Sequence, residues 1–108
     1  MTTRKKTSAL LAEFKTRLKT IYGERLKGVF LYGSHARGQG GPDSDVDVVI
    51  VLDDWDHYAG EVDGTGDVAS ELSLAYGMSI SQVFVRERDW LQEGTPFLAN
   101  AREDAIPA

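Results

Sequence analysis

The sequence predicts a layered α+β or α/β fold, and the order of its apolar patterns is the main observation. A helical periodicity comes first, and two β-rich runs separated by a turn follow it. A second helix, a third strand and two short helices complete the order. The chain has 108 residues, which allows one domain with a modest core. We therefore expect a single domain over residues 1–108.

The first helix is predicted over residues 7–22, where apolar side chains recur at intervals of three and four. Thr7 or Ser8 is the expected N-cap, because hydroxyl side chains accept the free N–H groups of a first turn. Gly23 is the expected end of this helix. Residues 27–32 read KGVFLY, a β-rich run that predicts the first strand.

The middle of the chain predicts a second strand and then a helix, whose first residue the sequence pattern does not fix. Residues 45–52 are β-branched nearly throughout, which predicts a strand buried on both faces. An apolar helical face follows and is expected to end at Gly77. Upstream of it, Gly60, Gly64 and Gly66 each cost about 1 kcal/mol inside a helix. Both a frayed helix and a loop are therefore compatible with this part.

The last third of the chain predicts one strand and two short helices. Residues 78–85 are expected to form the third strand, and residues 86–94 the first of the helices. The second helix is expected over residues 95–104, with Thr95 as N-cap and Pro96 at the first helical position, where proline is favoured.

Composition narrows the class of function. The net charge of −5 argues against general affinity for a nucleic-acid backbone. The absence of cysteine excludes disulfides and thiolate metal sites and favours a cytoplasmic protein. No apolar run approaches the ~20 residues of a membrane span, so we expect no membrane partner. Residues 43–67 are strongly acidic, and a cation would be needed between them and any phosphate.

Asp45 and Asp47 open the apolar second strand, and this position needs an explanation. Side chains alternate along a strand, so both carboxylates point to the same face. They repel each other there, and burial beside a core strand increases the cost. A shared Mg²⁺ would relieve that repulsion, because its preferred ligands are hard oxygens. The alternative is a pair of solvated carboxylates at a sheet edge, since a lone D-x-D tripeptide is common.

A Gly-Ser turn just upstream makes the pattern more specific. Gly33 would allow the backbone to approach a ligand closely, and the Ser34 hydroxyl with the following N–H groups could donate to phosphate oxygens. Arg37 could add positive charge, or it could pair with Asp43 or Asp45. We interpret His35 as a variable surface residue, and His57 as part of a solvated acidic loop.

The stretches GSHARG and SDVDVVIVL together resemble the signature of the polymerase-β-type nucleotidyltransferases. The short length resembles the minimal nucleotidyltransferase branch, which is often encoded beside a HEPN-domain protein in prokaryotic toxin–antitoxin pairs. The resemblance implies a short mixed β-sheet with helices mainly on one face and the motif at its exposed end. The nucleotide-binding residues that it implies are Gly33, Ser34, Arg37 and Ser44. Asp45 and Asp47 would be catalytic and would bind Mg²⁺.

The resemblance also implies an activity and partners. The reaction would be nucleotidyl transfer, with ATP as the nucleoside triphosphate and a hydroxyl of a partner protein as acceptor. A helical partner of HEPN type, a homodimer, or both are expected. Trp90, Leu91, Phe97 and Leu98 are candidate interface residues, because so short a segment has little room to bury them.

One position departs from the family pattern. Fully equipped members carry a third carboxylate on the strand after the central helix, and this strand has no acid. Ser81 is the best candidate for the equivalent position. The alternative function is therefore a catalytically weak or inactive nucleotide-binding antitoxin, which neutralises its partner by binding.

Overall fold

The computed structural model describes residues 3–41, 43–92 and 95–108. These described residues form five α-helices and four β-strands in the order α1-β1-α2-β2-α3-β3-α4-α5-β4. The helices are α1 (Thr3–Tyr22), α2 (Gly33–Ala36), α3 (Tyr58–Tyr76), α4 (Glu87–Gln92) and α5 (Pro96–Asp104). The strands are β1 (Leu26–Tyr32), β2 (Val46–Leu52), β3 (Ile80–Arg86) and β4 (Ile106–Pro107). The predicted order is confirmed, with β4 added at the end.

The four strands form one mixed sheet in the order β3-β2-β1-β4. β1 pairs antiparallel with β2 and with β4, whereas β2 pairs parallel with β3. The parallel pair follows from α3, which crosses over one face of the sheet between β2 and β3. The long helices α1 and α3 share that face, and the short helices α4 and α5 pack on the opposite one. The predicted α+β class is confirmed.

Strand β2 contributes to the core on both of its faces, as its β-branched sequence predicts. Val48 and Ile50 pack under α1 and α3, whereas Val49 and Val51 pack under α4 and α5. All four side chains are at most 2% exposed. Such burial on two faces fixes the register of β2, because a slip of one residue would exchange its two sets of side chains.

The first helix starts earlier than its sequence predicts. It begins at Thr3, so the prediction of Thr7 or Ser8 as N-cap is wrong. Thr7 is buried in the helix interior, where its hydroxyl donates to the Thr3 carbonyl oxygen at 2.9 Å and lies 3.8 Å from the sulfur of Met78. This contact with a residue beyond α3 carries no local sequence signal. Gly23 does end the helix, with a positive φ of 58°.

Helix α3 is continuous from Tyr58, so the glycine-rich part is helical rather than a loop. Packing on β3 offsets the cost of the glycines. The Thr65 side chain is fully buried, and its hydroxyl bonds to Oε1 of Gln82 at 2.9 Å. The Tyr58 hydroxyl accepts the N–H of Phe84 at 3.3 Å. The helix ends at Gly77, whose φ of 65° places it in the left-handed region.

The two short helices agree with prediction, within the described residues. Strand β3 ends at Arg86, and α4 runs from Glu87 to Gln92; the predicted positions 93 and 94 lie outside the described part. Thr95 caps α5, since its hydroxyl accepts the N–H of Leu98 at 3.2 Å. Among the described helices, none has the length and apolar character that crossing a membrane requires.

The predicted interface residues divide into two groups. Trp90 and Leu98 are 6% and 8% exposed, because they form the core beneath α4 and α5, so their assignment to an interface is wrong. Leu91 and Phe97 are 64% and 43% exposed. Two short helices therefore bury half of this apolar set against the sheet.

Candidate active site

Three strands have their termini at the same end of the sheet, and this brings the motif residues together. β1 ends at Tyr32, β2 begins directly after Asp45, and β3 begins at Ile80. The register pairs Tyr32 with Asp47 and Asp47 with Ser81. Residues directly opposite each other across neighbouring strands project from the same face. Tyr32, Asp47 and Ser81 therefore lie in a row, on the face that carries α4 and α5.

The Asp47 carboxylate lies against the backbone of Gly33, the first residue of α2. Gly33 has a φ of 75°, and a Cβ at this position would collide with Oδ2 of Asp47. Glycine is thus required twice, by the backbone conformation and by the close approach of the carboxylate. The turn and the acidic motif are consequently one structural unit, although Gly33 and Asp47 are fourteen positions apart in the sequence.

Burial and a neighbouring charge both act on Asp47. Burial raises the pKa of its carboxyl group, and the negative charge of Asp45 raises it further. The positive charge of Arg37 and the His35 ring lower the same pKa to a smaller extent. The ionised pair is therefore under electrostatic strain, and a bound cation would relieve it.

The donor set suits a cation that is shared with a ligand. Among residues 3–41, 43–92 and 95–108, no group of three or more His, Asp or Glu side chains is placed to hold a metal ion. Asp45 and Asp47 therefore offer carboxylate oxygens without a surrounding protein cage. Mg²⁺ is commonly held by one or two carboxylates, with water and phosphate oxygens completing its shell. The two carboxylates fit such an ion.

The loop between α2 and β2 is closed by hydrogen bonds of predicted site residues. The Ser34 carbonyl oxygen accepts the N–H of Gln39 at 2.9 Å. The Ser44 N–H donates to the Gly41 carbonyl oxygen at 3.1 Å, and its hydroxyl oxygen accepts the Gly41 N–H at 3.2 Å. These bonds order the two ends of the loop locally, one next to α2 and the other next to β2.

His35 is half-buried and contacts the loop that follows α2, whereas the sequence suggested a variable surface residue. Its ring Nε2 lies 3.2 Å from the Ser44 carbonyl oxygen. Gly40 passes so close to the ring that a Cβ there would collide with it. The contact depends on how the loop folds back, and the glycines of the GQGG stretch are the one sequence signal that could have indicated it. His57, by contrast, is exposed, as the predicted solvated loop requires.

Arg37 pairs with an acid that sequence reasoning did not consider. Its guanidinium donates to Oδ2 of Asp104 at 2.8 Å and so connects α2 to α5. The predicted pairing with Asp43 or Asp45 is wrong, because the partner lies 67 positions away on another helix. No local pattern indicates such a contact.

Tyr32 and Phe97 are further residues of this region; the sequence pattern indicated no role in the site for Tyr32 and assigned Phe97 to an interface. Their ring centroids lie 5.8 Å apart at an interplanar angle of 89°, an edge-to-face contact. Burial raises the pKa of the Tyr32 hydroxyl, and the charge of Asp47 raises it further. Tyr32 could have been found from its place directly before Gly33, had the register of the β1–β2 hairpin been known.

The comparisons with known proteins agree with the fold and the motif. The family described as "Nucleotidyltransferase domain" matches residues 11–97. Two similar proteins of Methanocaldococcus jannaschii are named putative protein adenylyltransferases. MJ0604 is 36% identical over 78 residues, which is 71% of each chain. MJ0141 is 35% identical over 78 residues, or 72% of this chain and 78% of its own.

Solved structures of low sequence identity share the fold. A chain from a crystal structure of a toxin–antitoxin with AMP-PNP superimposes with a TM-score of 0.59 at 17% identity, covering 87% of this chain and 68% of that one. A chain from a structure of a mutant toxin–antitoxin MntA-HpeT gives a TM-score of 0.57 at 17% identity, with the same coverage. The family match and the sequence relatives decide the assignment: this chain belongs to the nucleotidyltransferase domain family, as a minimal nucleotidyltransferase.

Proposed function

We propose that this chain transfers an adenylyl group from Mg²⁺-bound ATP to a hydroxyl of a partner protein. The observation that carries the proposal is the contact between the Asp47 carboxylate and the Gly33 backbone. A cation on Asp45 and Asp47 would lie beside the first N–H groups of α2. Phosphate oxygens bound to the cation could then also accept hydrogen bonds from Ser34.

The chemistry is a displacement at the α-phosphorus of ATP. The acceptor oxygen forms a bond to this phosphorus while the bond to the bridging oxygen of the β-phosphate breaks. Pyrophosphate leaves, and the proton of the acceptor hydroxyl passes to a base or to solvent. A bound Mg²⁺ supplies positive charge that stabilises the developing negative charge on the phosphate oxygens. Asp45 and Asp47 would hold the ion, whereas Gly33, Ser34, Arg37 and Ser44 would position the triphosphate.

The nature of the acceptor is suggested by the relatives. The two archaeal relatives are named protein adenylyltransferases, and the solved neighbours are toxin–antitoxin structures. A protein acceptor, in an antitoxin-type pair, is therefore the acceptor that we propose. A helical partner of HEPN type is our first candidate, and a second copy of this chain is the other.

A second candidate function rests on Ser81. The register places it directly opposite Asp47, on the strand where a third carboxylate would otherwise lie. A serine neither binds Mg²⁺ as a charged ligand nor acts as a base near neutral pH. On this basis the chain would bind ATP but transfer slowly, and it would neutralise its partner by binding.

The test is an incubation with α-labelled ATP, Mg²⁺ and the protein that is encoded beside this chain. Label that appears on the partner and depends on Asp47 supports adenylyl transfer. Nucleotide binding and complex formation without label support the second candidate. A chain that binds neither ATP nor the partner would contradict both.

A further inference from the structure

We infer that Phe97 is the platform on which the base of the bound nucleotide stacks, which makes purine nucleoside triphosphates the preferred substrates. The inference rests on the proposed function, because it assumes that the triphosphate lies at Asp45 and Asp47. Its own evidence is the exposed aromatic side chain at the rim of this site. The ring of Phe97 is 43% exposed, although it belongs to a helix that packs on the sheet.

The position of the ring fits a nucleotide that starts at the carboxylates. Tyr32 is paired with Asp47 across the sheet, and the Tyr32 and Phe97 ring centroids lie 5.8 Å apart. Opposed residues on antiparallel strands have Cα atoms only about 5 Å apart. Tyr32 is therefore a neighbour of Asp47, and Phe97 is in turn a neighbour of Tyr32. The ribose of a nucleotide bridges a separation of this kind between the α-phosphate and the base.

The surroundings of Asp47 leave the β1 side of the site as the suitable side for a nucleotide base. On the β3 side Asp47 faces Ser81, a small polar residue, and on the α2 side it faces the Gly33 backbone. The other large aromatic residue that is exposed among the described residues, Tyr58, begins α3 after the opposite end of β2 and packs on Trp55 and Phe84. An apolar ring therefore borders the carboxylates on the β1 side.

Phe97 is supported by contacts of its ring and of its helix, as a stacking platform requires. The edge-to-face contact with Tyr32 holds the ring from one side. Phe97 lies in the first turn of α5, which Thr95 caps, and the ion pair of Arg37 with Asp104 ties the other end of the helix to α2. The platform and the phosphate-binding turn are thus joined through one short helix.

Stacking on an aromatic ring depends on base area rather than on hydrogen-bonding groups. Purine triphosphates should consequently bind more tightly than pyrimidine triphosphates, with little difference between ATP and GTP. Tripolyphosphate, which has no base, should bind through the metal and α2 alone. This ordering separates a base platform from a general effect of Phe97 on the fold.

The experiment measures dissociation constants by calorimetry in Mg²⁺ for ATP, CTP and tripolyphosphate. Phe97→Leu keeps an apolar side chain in α5 but removes the ring, so we expect ATP affinity to fall about tenfold. Affinity for tripolyphosphate should not change, and the preference for ATP over CTP should disappear. Phe97→Trp should restore or increase ATP affinity. Leu74→Ala, an exposed apolar change on α3, is the matched control.

Three outcomes would overturn the inference, and each points to a different explanation. If the unaltered protein binds tripolyphosphate but Phe97→Leu leaves ATP affinity unchanged, the proposed phosphate site stands and the platform does not. If Phe97→Leu instead weakens only the complex with a partner protein, the ring belongs to a protein interface. If the unaltered protein binds neither ATP nor tripolyphosphate, the proposed function fails and the platform fails with it.

Discussion

At the scale of single residues, the ionised carboxylate of Asp47 lowers the stability of the fold, and the function that we propose requires this carboxylate. Its folded-state pKa is raised above the ordinary value of 3.8, by burial first and then by Asp45. A group with a raised folded pKa binds its proton more tightly in the folded state, so its ionisation lowers the free energy of unfolding as pH rises through that pKa. Asp47→Asn should therefore increase stability at pH 7 without metal, as measured by urea denaturation.

The pH dependence provides the control for this prediction. Below the ordinary carboxyl pKa both states are protonated, so the unaltered protein and Asp47→Asn should have nearly equal stability there. Leu74→Ala, far from the carboxylates, should show no such pH dependence relative to the unaltered protein. A less stable Asp47→Asn at pH 7 would show that the carboxylate has a favourable partner.

Ser81 allows a test of what a third carboxylate would contribute. Because Ser81 lies opposite Asp47, Ser81→Asp places an acid on the face that would hold the metal. A positioned base contributes about 10²–10⁴-fold to a rate, so transfer to a suitable hydroxyl should rise within this range. Single-turnover kinetics with labelled ATP measure it. Ser70→Asp, an equal charge change at an exposed position of α3, should leave the rate unaltered.

Two results would contradict that prediction. Rapid transfer by the unaltered protein alone would mean that the reaction does not need a carboxylate at the position of Ser81. Transfer by Ser81→Asp that survives Asp47→Asn would mean that the reaction does not use the row of side chains described above.

At the scale of elements, α3 contains glycines that its packing does not need. Gly64 is exposed in the helix interior, and a Cβ there would meet no atom within 4 Å. Gly64→Ala should stabilise the protein by about 1 kcal/mol, or roughly 4 °C in Tm. Gly77→Ala is the matched control and should destabilise, because its φ of 65° is left-handed. An unchanged or lower Tm for Gly64→Ala would mean that this part of α3 is not regularly helical.

The elements also show what a sequence can predict here. β2, its turn and α5 follow from local patterns: a β-branched run, a glycine-rich link and a Thr95–Pro96 start. The start of α1 and the helical state of residues 58–66 are accompanied by contacts of Thr7 and Thr65 with residues beyond their own helices. Periodicity within one segment cannot indicate such contacts.

The residues of the candidate site likewise fall into those that the local sequence predicts and those that only tertiary structure brings together. Gly33, Asp45 and Asp47 could be predicted because they belong to one short stretch of sequence. The place of Phe97 beside the motif and the ion pair of Arg37 with Asp104 could not be predicted, because α5 returns to the motif from the far end of the chain. The residues that we propose to hold phosphates are thus local in sequence, whereas the residues that surround them are brought there by tertiary structure.

At the scale of the whole molecule, charge determines how ATP can bind. The chain carries a net charge of −5, and two of its carboxylates, Asp45 and Asp47, lie where the triphosphate would bind. Direct contact between these anions is unfavourable, so binding should require a divalent cation. Calorimetric titration with ATP should show binding in Mg²⁺ and none in EDTA. Asp47→Asn should weaken the Mg²⁺-dependent binding, whereas Ser70→Asp, with one more negative charge elsewhere, should not. Equal affinity in EDTA would mean that no cation bridges the carboxylates and the phosphates.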